Sequence, residues 1–248
     1  MKDSDKSKPK AETKQPPVWL EKAKKNAALE AVEHVKDGFV IGLGSGSTAA
    51  YAIKEIGKLT RKNKWHILGV PTSQQAFQLA LKNRIPITTL DEHPRLNLTI
   101  DGADQIDTEL NLIKGMGGAL TREKLVASAS KLNIIIADET KLTKKLGTNQ
   151  PVPVEVLPPA LAVVHTRIKQ LKGTPVLREC CQAKLGAAIT DNGNYIIDAD
   201  FGPIHNPNEL NKLLKLLPGV VETGLFIDIA DVVYVGTPSH VHRFTRKK

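Results

Sequence analysis

Three observations predict an α/β chain, with a doubly wound, mostly parallel sheet and a smaller α+β unit after it. Short apolar runs alternate with segments of helical periodicity from Val18 to about residue 147. Near Gly147 the chain becomes proline-rich with alternating valines. A polar turn, Asp191-Asn192-Gly193-Asn194, then stands between β-branched runs, as in an antiparallel hairpin. Strands separated by helices need crossovers, which give a parallel sheet with helices packed on it. At 248 residues the chain can bury one large core or two unequal ones.

Residues 1–17 (MKDSDKSKPKAETKQPP) are charged, contain proline and lack apolar periodicity, so a disordered basic extension is expected there. From Val18, apolar residues recur every three to four positions through Leu20, Ala23, Ala27, Ala28, Ala31, Val32 and Val35, a helix that Asp37-Gly38 ends. FVIGLG (39–44) reads as a buried strand running into glycines, and 48–60 as a helix. HILGV (66–70) is a strand, 72–83 a helix with Thr72 or Ser73 as N-cap, and ITTL (87–90) a short strand. LNLTI (96–100), a helix over 122–132 and NIIIAD (133–138) continue the alternation. PVPVEVLPPA (151–160) fits a linker and an edge strand, because proline cannot donate to a ladder. A helix (160–171), an extended stretch (175–180), the hairpin (187–200) and a helix (208–217) follow. Two short strands in LFIDIADVVYVG (225–236) are expected to rejoin the first sheet. The domains expected are 18–147 with 222–248, and 148–221 between them.

The hydrophobic share of 41% and charged share of 25% are those of an ordinary globular protein. The longest apolar runs, such as NIIIA (133–137), are too short to span a bilayer, and the lysine-rich start has no signal-peptide core. A cytoplasmic protein without a membrane partner is expected. The net charge of +9 is concentrated at the ends: +4 in residues 1–25, +4 in 241–248, and only +1 between. Aromatics are 4%. Neither a basic groove nor a base-stacking platform is expected, so no specific nucleic-acid partner is. Cys180 and Cys181 are adjacent, too strained a pair for a disulfide and too few for a zinc site.

Chemistry concentrates in DGADQIDTELNLIKGMGGALTREK (101–124). Acids at a strand end, a glycine turn and a helix start form the usual small-molecule site of an open α/β sheet. Asp101 and Asp104 are either turn caps or acids aimed into a pocket; a metal pair is disfavoured, with no His or further acid at ligand spacing. Lys114, before the glycines, is either a solvated charge or a stabiliser of a developing oxyanion. Glu123 is either first-turn helix chemistry or a general base, provided its pocket raises its pKa. IGLGSGSTAA (41–50) is a strand, a Gly-Ser turn and a helix start, suited to a phosphate or to a tight turn capped by Thr48. Ser47 stands where the dinucleotide fingerprint needs its third glycine, so a nicotinamide enzyme is not expected. Lys141 is either a phosphate contact or one solvated lysine in a lysine-rich stretch.

Over about residues 24–236 the chain resembles the ribose-5-phosphate isomerase family of the A type. GLGSGSTA, DGAD, KGxGGALTREK, IADETK, PVPVEV, TDNGNYIID and LPGVVETGLF carry the resemblance, in order. It implies a Rossmann-like main domain and a smaller, ferredoxin-like α+β domain inserted near the C-terminus. It implies interconversion of D-ribose 5-phosphate and D-ribulose 5-phosphate through an enediolate, no metal or organic cofactor, and a homodimer or homotetramer. Glu123 matches the family's proton-shuttling base, Lys114 and Asp104 its partners of the sugar oxygens, and Asp101 its helper in opening the furanose ring. Ser45, Gly46, Ser47, Thr48 and Lys141 match substrate-loop positions, and Lys24 a phosphate contact on the first helix. Gly102, Ala103, Gly115, Met116 and Gly117 fall in the same substrate-binding turns. A non-catalytic sugar-phosphate-binding sensor on this scaffold is the alternative, against which the complete set of Asp101, Asp104, Lys114 and Glu123 argues. The chain departs from the pattern at Gln105, usually glutamate, at Met116, usually glycine, and in its charged N-terminal extension. Gln105 is expected to shift Asp104, and Met116 to crowd the substrate loop.

Overall fold

The computed structural model describes residues 17–180 and 185–246. The extension expected over 1–17 lies outside them except for Pro17, as does Cys181. The elements in chain order are α1 (Val18–Val32), β1 (Val40–Leu43), α2 (Gly46–Asn63), β2 (Leu68–Pro71), α3 (Gln74–Lys82), β3 (Leu98–Gly102), β4 (Gln105–Ile106) and β5 (Leu112–Ile113). Then come α4 (Leu120–Ser128), β6 (Asn133–Asp138), β7 (Val152–Val156), α5 (Leu161–Gln170), β8 (Thr174–Leu177), β9 (Tyr195–Asp200) and α6 (Pro207–Lys215). The last strands are β10 (Val220–Thr223), β11 (Leu225–Phe226), β12 (Val232–Gly236) and β13 (Val241–Thr245).

The main sheet has the order β13-β12-β6-β3-β1-β2, parallel except for the antiparallel edge β13. β6 shows why its sequence is uniformly apolar, since each face meets a different core. Ile134 and Ile136 pack with Ile41, Ile100 and the alanine face of α1. Ile135 and Ala137 pack on the other side with Ile106, Leu120 and Phe226. Truncating one such isoleucine to alanine costs about 2–5 kcal/mol. The chain passes from β1 to β2 on one side and then to β3 on the other. That reversal opens a crevice at the carboxyl ends of β1 and β3, where doubly wound sheets bind ligands.

The second sheet, β10-β7-β9-β8, is antiparallel throughout. With α5 and α6 it forms the split βαβ arrangement of a ferredoxin-like unit. Its core is separate: Val152, Val154, Val156, Val164, Ile168, Ile197 and Leu214 are buried together. A small sheet, β11-β5-β4, joins two strands that follow β3 to one that follows β10.

Several expectations are corrected. β7 is a central strand, not an edge: Pro153 lies beyond the β10 ladder, which ends at Val154 with Thr223, and its carbonyl accepts from Gly224 N at 2.6 Å. Residues 87–90 make one bridge, Ile87 to Gly69, and then leave the sheet for a turn at 90–92. The stretch before the TDNGN turn is not a strand; β9 pairs with β7 and β8 instead. Of the two strands in 225–236, only β12 joins the main sheet, while β11 pairs with β5. The basic end also builds the fold, because β13 extends the sheet. Arg246 beyond it donates to Ala230 O (3.0 Å), Leu110 O (2.8 Å) and Asp228 Oδ1 (2.7 Å). Among the described residues, no helix is long and apolar enough to cross a membrane.

Candidate active site

Asp101 is the penultimate residue of β3, inside the strand and not after it. A Cβ on Gly44 would stand 2.2 Å from Asp101 Oδ1, so only glycine lets this carboxylate lie against the end of β1. Oδ1 accepts from Ser45 N (3.0 Å) and Gly102 N (2.7 Å), which ties the two strand-end loops together.

Lys114 follows β5 and is buried. Gly115 has φ +99°, and a Cβ there would meet Leu120 Cβ at 2.7 Å, so glycine is required where the chain turns towards α4. Lys114 Nζ donates to Gly102 O at 2.6 Å and lies 3.1 Å from Asp101 Oδ2 and 3.2 Å from Glu123 Oε1. It also stands 5.4 Å above the centre of the Phe226 ring. Asp101 Oδ2 and Glu123 Oε2 are both buried without a hydrogen-bond partner among the described residues.

Burial alone would push Lys114 down, but Asp101, Glu123 and Asp104 outweigh it and hold the ammonium above its ordinary range. Burial pushes Glu123 up, Lys114 pulls it down, and Asp101 and Asp104 push it up again, leaving it at about 8. A carboxyl in that range can both take and return a proton near neutral pH. Asp104 faces the pair from the DGAD turn, and its Oδ2 accepts from Met116 N at 3.0 Å.

The other end of the crevice is the start of α2. Ser45 provides no side-chain cap to that helix, so the first-turn N–H groups at Ser47 and Thr48 suit an anion. Ser45 Oγ donates to Ser73 Oγ (2.6 Å) and lies 2.7 Å from Thr72 Oγ1. Gly46 N donates to Gln75 Oε1 at 2.9 Å. Lys24, paired with Glu21 at 2.9 Å, and Lys141 add positive charge. Lys24, Ser45, Gly46, Ser47, Thr48, Ser73, Gln75 and Lys141 line a single cleft of about 440 Å³ together with Gly102, Ala103, Asp104, Lys114, Gly115, Met116, Gly117 and Glu123. Asp101 does not line it; it stands behind Lys114, one layer from the opening.

Arg178, Thr190 and Asp191 also line the cleft but were not expected as site residues, because they reach it from the second unit. Arg178 Nη1 donates to Gly115 O (2.9 Å) and Met116 O (3.0 Å), while its Nε holds Asp198 at 2.8 Å. Asp191 Oδ2 accepts from Gln74 N at 2.8 Å, and Arg122 donates to Asp191 O at 2.8 Å. The turn read as a hairpin tip is thus a wall of the cleft. Among the described residues, the Gln105 side chain makes no hydrogen bond to Asp104. Its Nε2 donates to Thr148 O (2.6 Å) and its Oε1 accepts from Gly147 N (2.9 Å), a double role that a carboxylate cannot fill. Met116 is 39% exposed, with its Sδ 3.7 Å from Arg178 Nη2.

A doubly wound sheet with a buried Lys–Glu pair and an uncapped helix start lining one cleft has the parts of an enzyme class: those that transfer a proton on a small anionic substrate. Residues 68–240 match the family described as ribose 5-phosphate isomerase A (phosphoriboisomerase A). Ribose-5-phosphate isomerase A of Thermococcus kodakarensis is 44% identical over 92% of this chain and 99% of its own. The human ribose-5-phosphate isomerase is 44% identical over 87% of this chain and 70% of its own. The solved structure of the Methanocaldococcus jannaschii ribose 5-phosphate isomerase A superposes with TM-score 0.88 at 45% identity, covering 91% of this chain and 99% of that one. A D-ribose-5-phosphate isomerase in complex with phospho-erythronic acid superposes with TM-score 0.89 at 44% identity, covering 92% and 99%. The chain belongs to the ribose 5-phosphate isomerase A family, and it is an isomerase.

Proposed function

We propose that the chain interconverts D-ribose 5-phosphate and D-ribulose 5-phosphate through an enediolate, with Glu123 moving the proton. The observation that carries this reading is the buried Glu123 Oε2, without a partner among the described residues, next to a carboxyl oxygen 3.2 Å from Lys114. Glu123 takes the proton from C2 of the open-chain aldose, and negative charge develops on the carbonyl oxygen at C1. Lys114, held protonated, stabilises that oxygen from a buried position at the cleft floor. The hydroxyl proton at O2 passes to O1, and Glu123 returns its proton to C1, so no proton is lost or gained overall. Asp104 hydrogen-bonds the sugar hydroxyls. Asp101 acts through Lys114 and the Ser45 loop, and assists ring opening from behind. Ser45, Gly46, Ser47 and Thr48, with Lys24 and Lys141, hold the phosphate, which fixes C2 against Glu123.

The same reading takes residues 18–147 with 222–248 as the catalytic unit and 148–221 as the second. It expects a cytoplasmic homodimer or homotetramer, which sedimentation would test. Purified protein should interconvert the two pentose phosphates with a chelator present. Absence of turnover there, with other aldose phosphates equally inert, would overturn the assignment.

A further inference from the structure

The PVPVEV strand and the TDNGN turn have no role in the reaction above, and one residue joins them. Glu155, within β7, is 0% exposed. Its Oε1 accepts from Thr190 Oγ1 (2.9 Å), Asn192 Nδ2 (3.1 Å) and Asn194 Nδ2 (2.8 Å), and its Oε2 from Thr121 Oγ1 (2.5 Å). Among the described residues, no cation lies within ion-pair distance of it. A buried carboxylate held by neutral donors alone persists only when its lone pairs are engaged. The β7–β10 ladder shifts register opposite Glu155, between Val220 and Glu222, as bulges do where a side chain must be re-aimed.

The donors come from two places close to the chemistry. Thr121 is in the first turn of α4, two residues before Glu123. The others belong to the turn whose Thr190 and Asp191 line the cleft. That turn continues into the main unit, where Asp191 accepts from Gln74 N, and the next residue, Gln75, accepts from Gly46 N at the start of α2. Hydrogen bonds thus run from Glu155 to the helix of the base on one side. On the other they run to the phosphate end of the cleft.

We propose that Glu155 is a positioning residue for the isomerisation: it clamps the Thr190–Asn194 turn to the start of α4, so that the cleft wall and Glu123 keep fixed relative places. The proposal rests on the reading of Glu123 as base and of the α2 start as phosphate site.

Three variants test it in steady-state kinetics, each checked for folding by circular dichroism. Glu155→Gln puts a donor among donors and should lower kcat/KM about tenfold or more, since small misplacements of reacting groups carry such costs. Thr121→Val frees only the helix arm and should lower kcat about fivefold with KM little changed, whereas Asn194→Ala frees only the wall arm and should raise KM about fivefold with kcat little changed. A merely structural role would lower Tm and leave kcat and KM of the folded enzyme at wild-type values. That result, or equal effects of Thr121→Val and Asn194→Ala on both constants, overturns the proposal. If Glu155→Gln does not fold, the two single-arm variants decide. Glu123→Gln run alongside separates the readings, because wild-type turnover there removes the base assignment without bearing on the hydrogen-bond arms of Glu155.

Discussion

Glu123 and Glu155 are both buried glutamates, and Thr121, two residues before Glu123 on α4, hydrogen-bonds Glu155. Their surroundings are opposite. Glu155 has its lone pairs met by four neutral donors. Glu123 has an ammonium at 3.2 Å on one oxygen and, among the described residues, no partner on the other. Burial alone therefore assigns neither role. A satisfied carboxylate fixes structure, and one with an open lone pair and a raised pKa is available for proton transfer.

The sharpest way to break that contrast is at Glu123. Glu123→Gln should lower kcat by about 10²–10⁴-fold, the usual worth of a general base, while calorimetry shows substrate binding retained. Wild-type turnover would make the two glutamates equivalent and the open oxygen irrelevant. Next is Lys114→Met, which should lower kcat by about 10²–10³-fold through loss of oxyanion stabilisation. Because Lys114 pulls the Glu123 pKa down, its removal should also move the activity limb to higher pH.

The pH profile sharpens the comparison further. On the proposed mechanism the carboxylate form of Glu123 acts as the base, and burial holds its proton on until about pH 8. Log kcat/KM should therefore rise with a slope of about 1 up to that pH and level above it. A limb near 4.5, the ordinary glutamate value, would mean that the base is not desolvated. The same shift acts on stability with a definite sign. The folded pKa lies above the unfolded one, so the contribution is full below about 4.5 and is lost as pH rises through about 8. Glu155→Gln should leave the position of the kinetic limb unchanged. The smallest effect is expected at Gln105→Glu, which sets a carboxylate oxygen against Thr148 O. Stability should fall by about 1–3 kcal/mol in denaturant titration, with kcat within about twofold of wild type.

Much of the catalytic neighbourhood was legible in advance, because its parts are local. Strand-end acids, a glycine turn and a helix start are read from spacing, and Glu123, Lys114 and Asp104 do meet in one cleft. The placement of Asp101 behind the cleft was not legible, since it depends on Gly44 of a different strand admitting the carboxylate. PVPVEV suggested an edge because proline cannot donate, yet Pro153 falls just past the ladder end and β7 is central. The TDNGN turn suggested a hairpin, but its first arm leaves the sheet to deliver Thr190 to Glu155 and Asp191 to α3. Arg178 gave no signal because its targets, the carbonyls of Gly115 and Met116, lie over sixty residues away in the chain.

The sequence by itself determined the alternation that makes a doubly wound sheet, the glycines that its tight turns require, and the residue types of the site. Those follow from periodicity and local backbone sterics, which act over a few residues. Only the tertiary structure decided which carboxylate shares Lys114, which oxygen stays open, and which glutamate is clamped. Desolvation and hydrogen-bond satisfaction depend on what other segments pack around a group, and for Glu123 and Glu155 those segments come from both units of the chain.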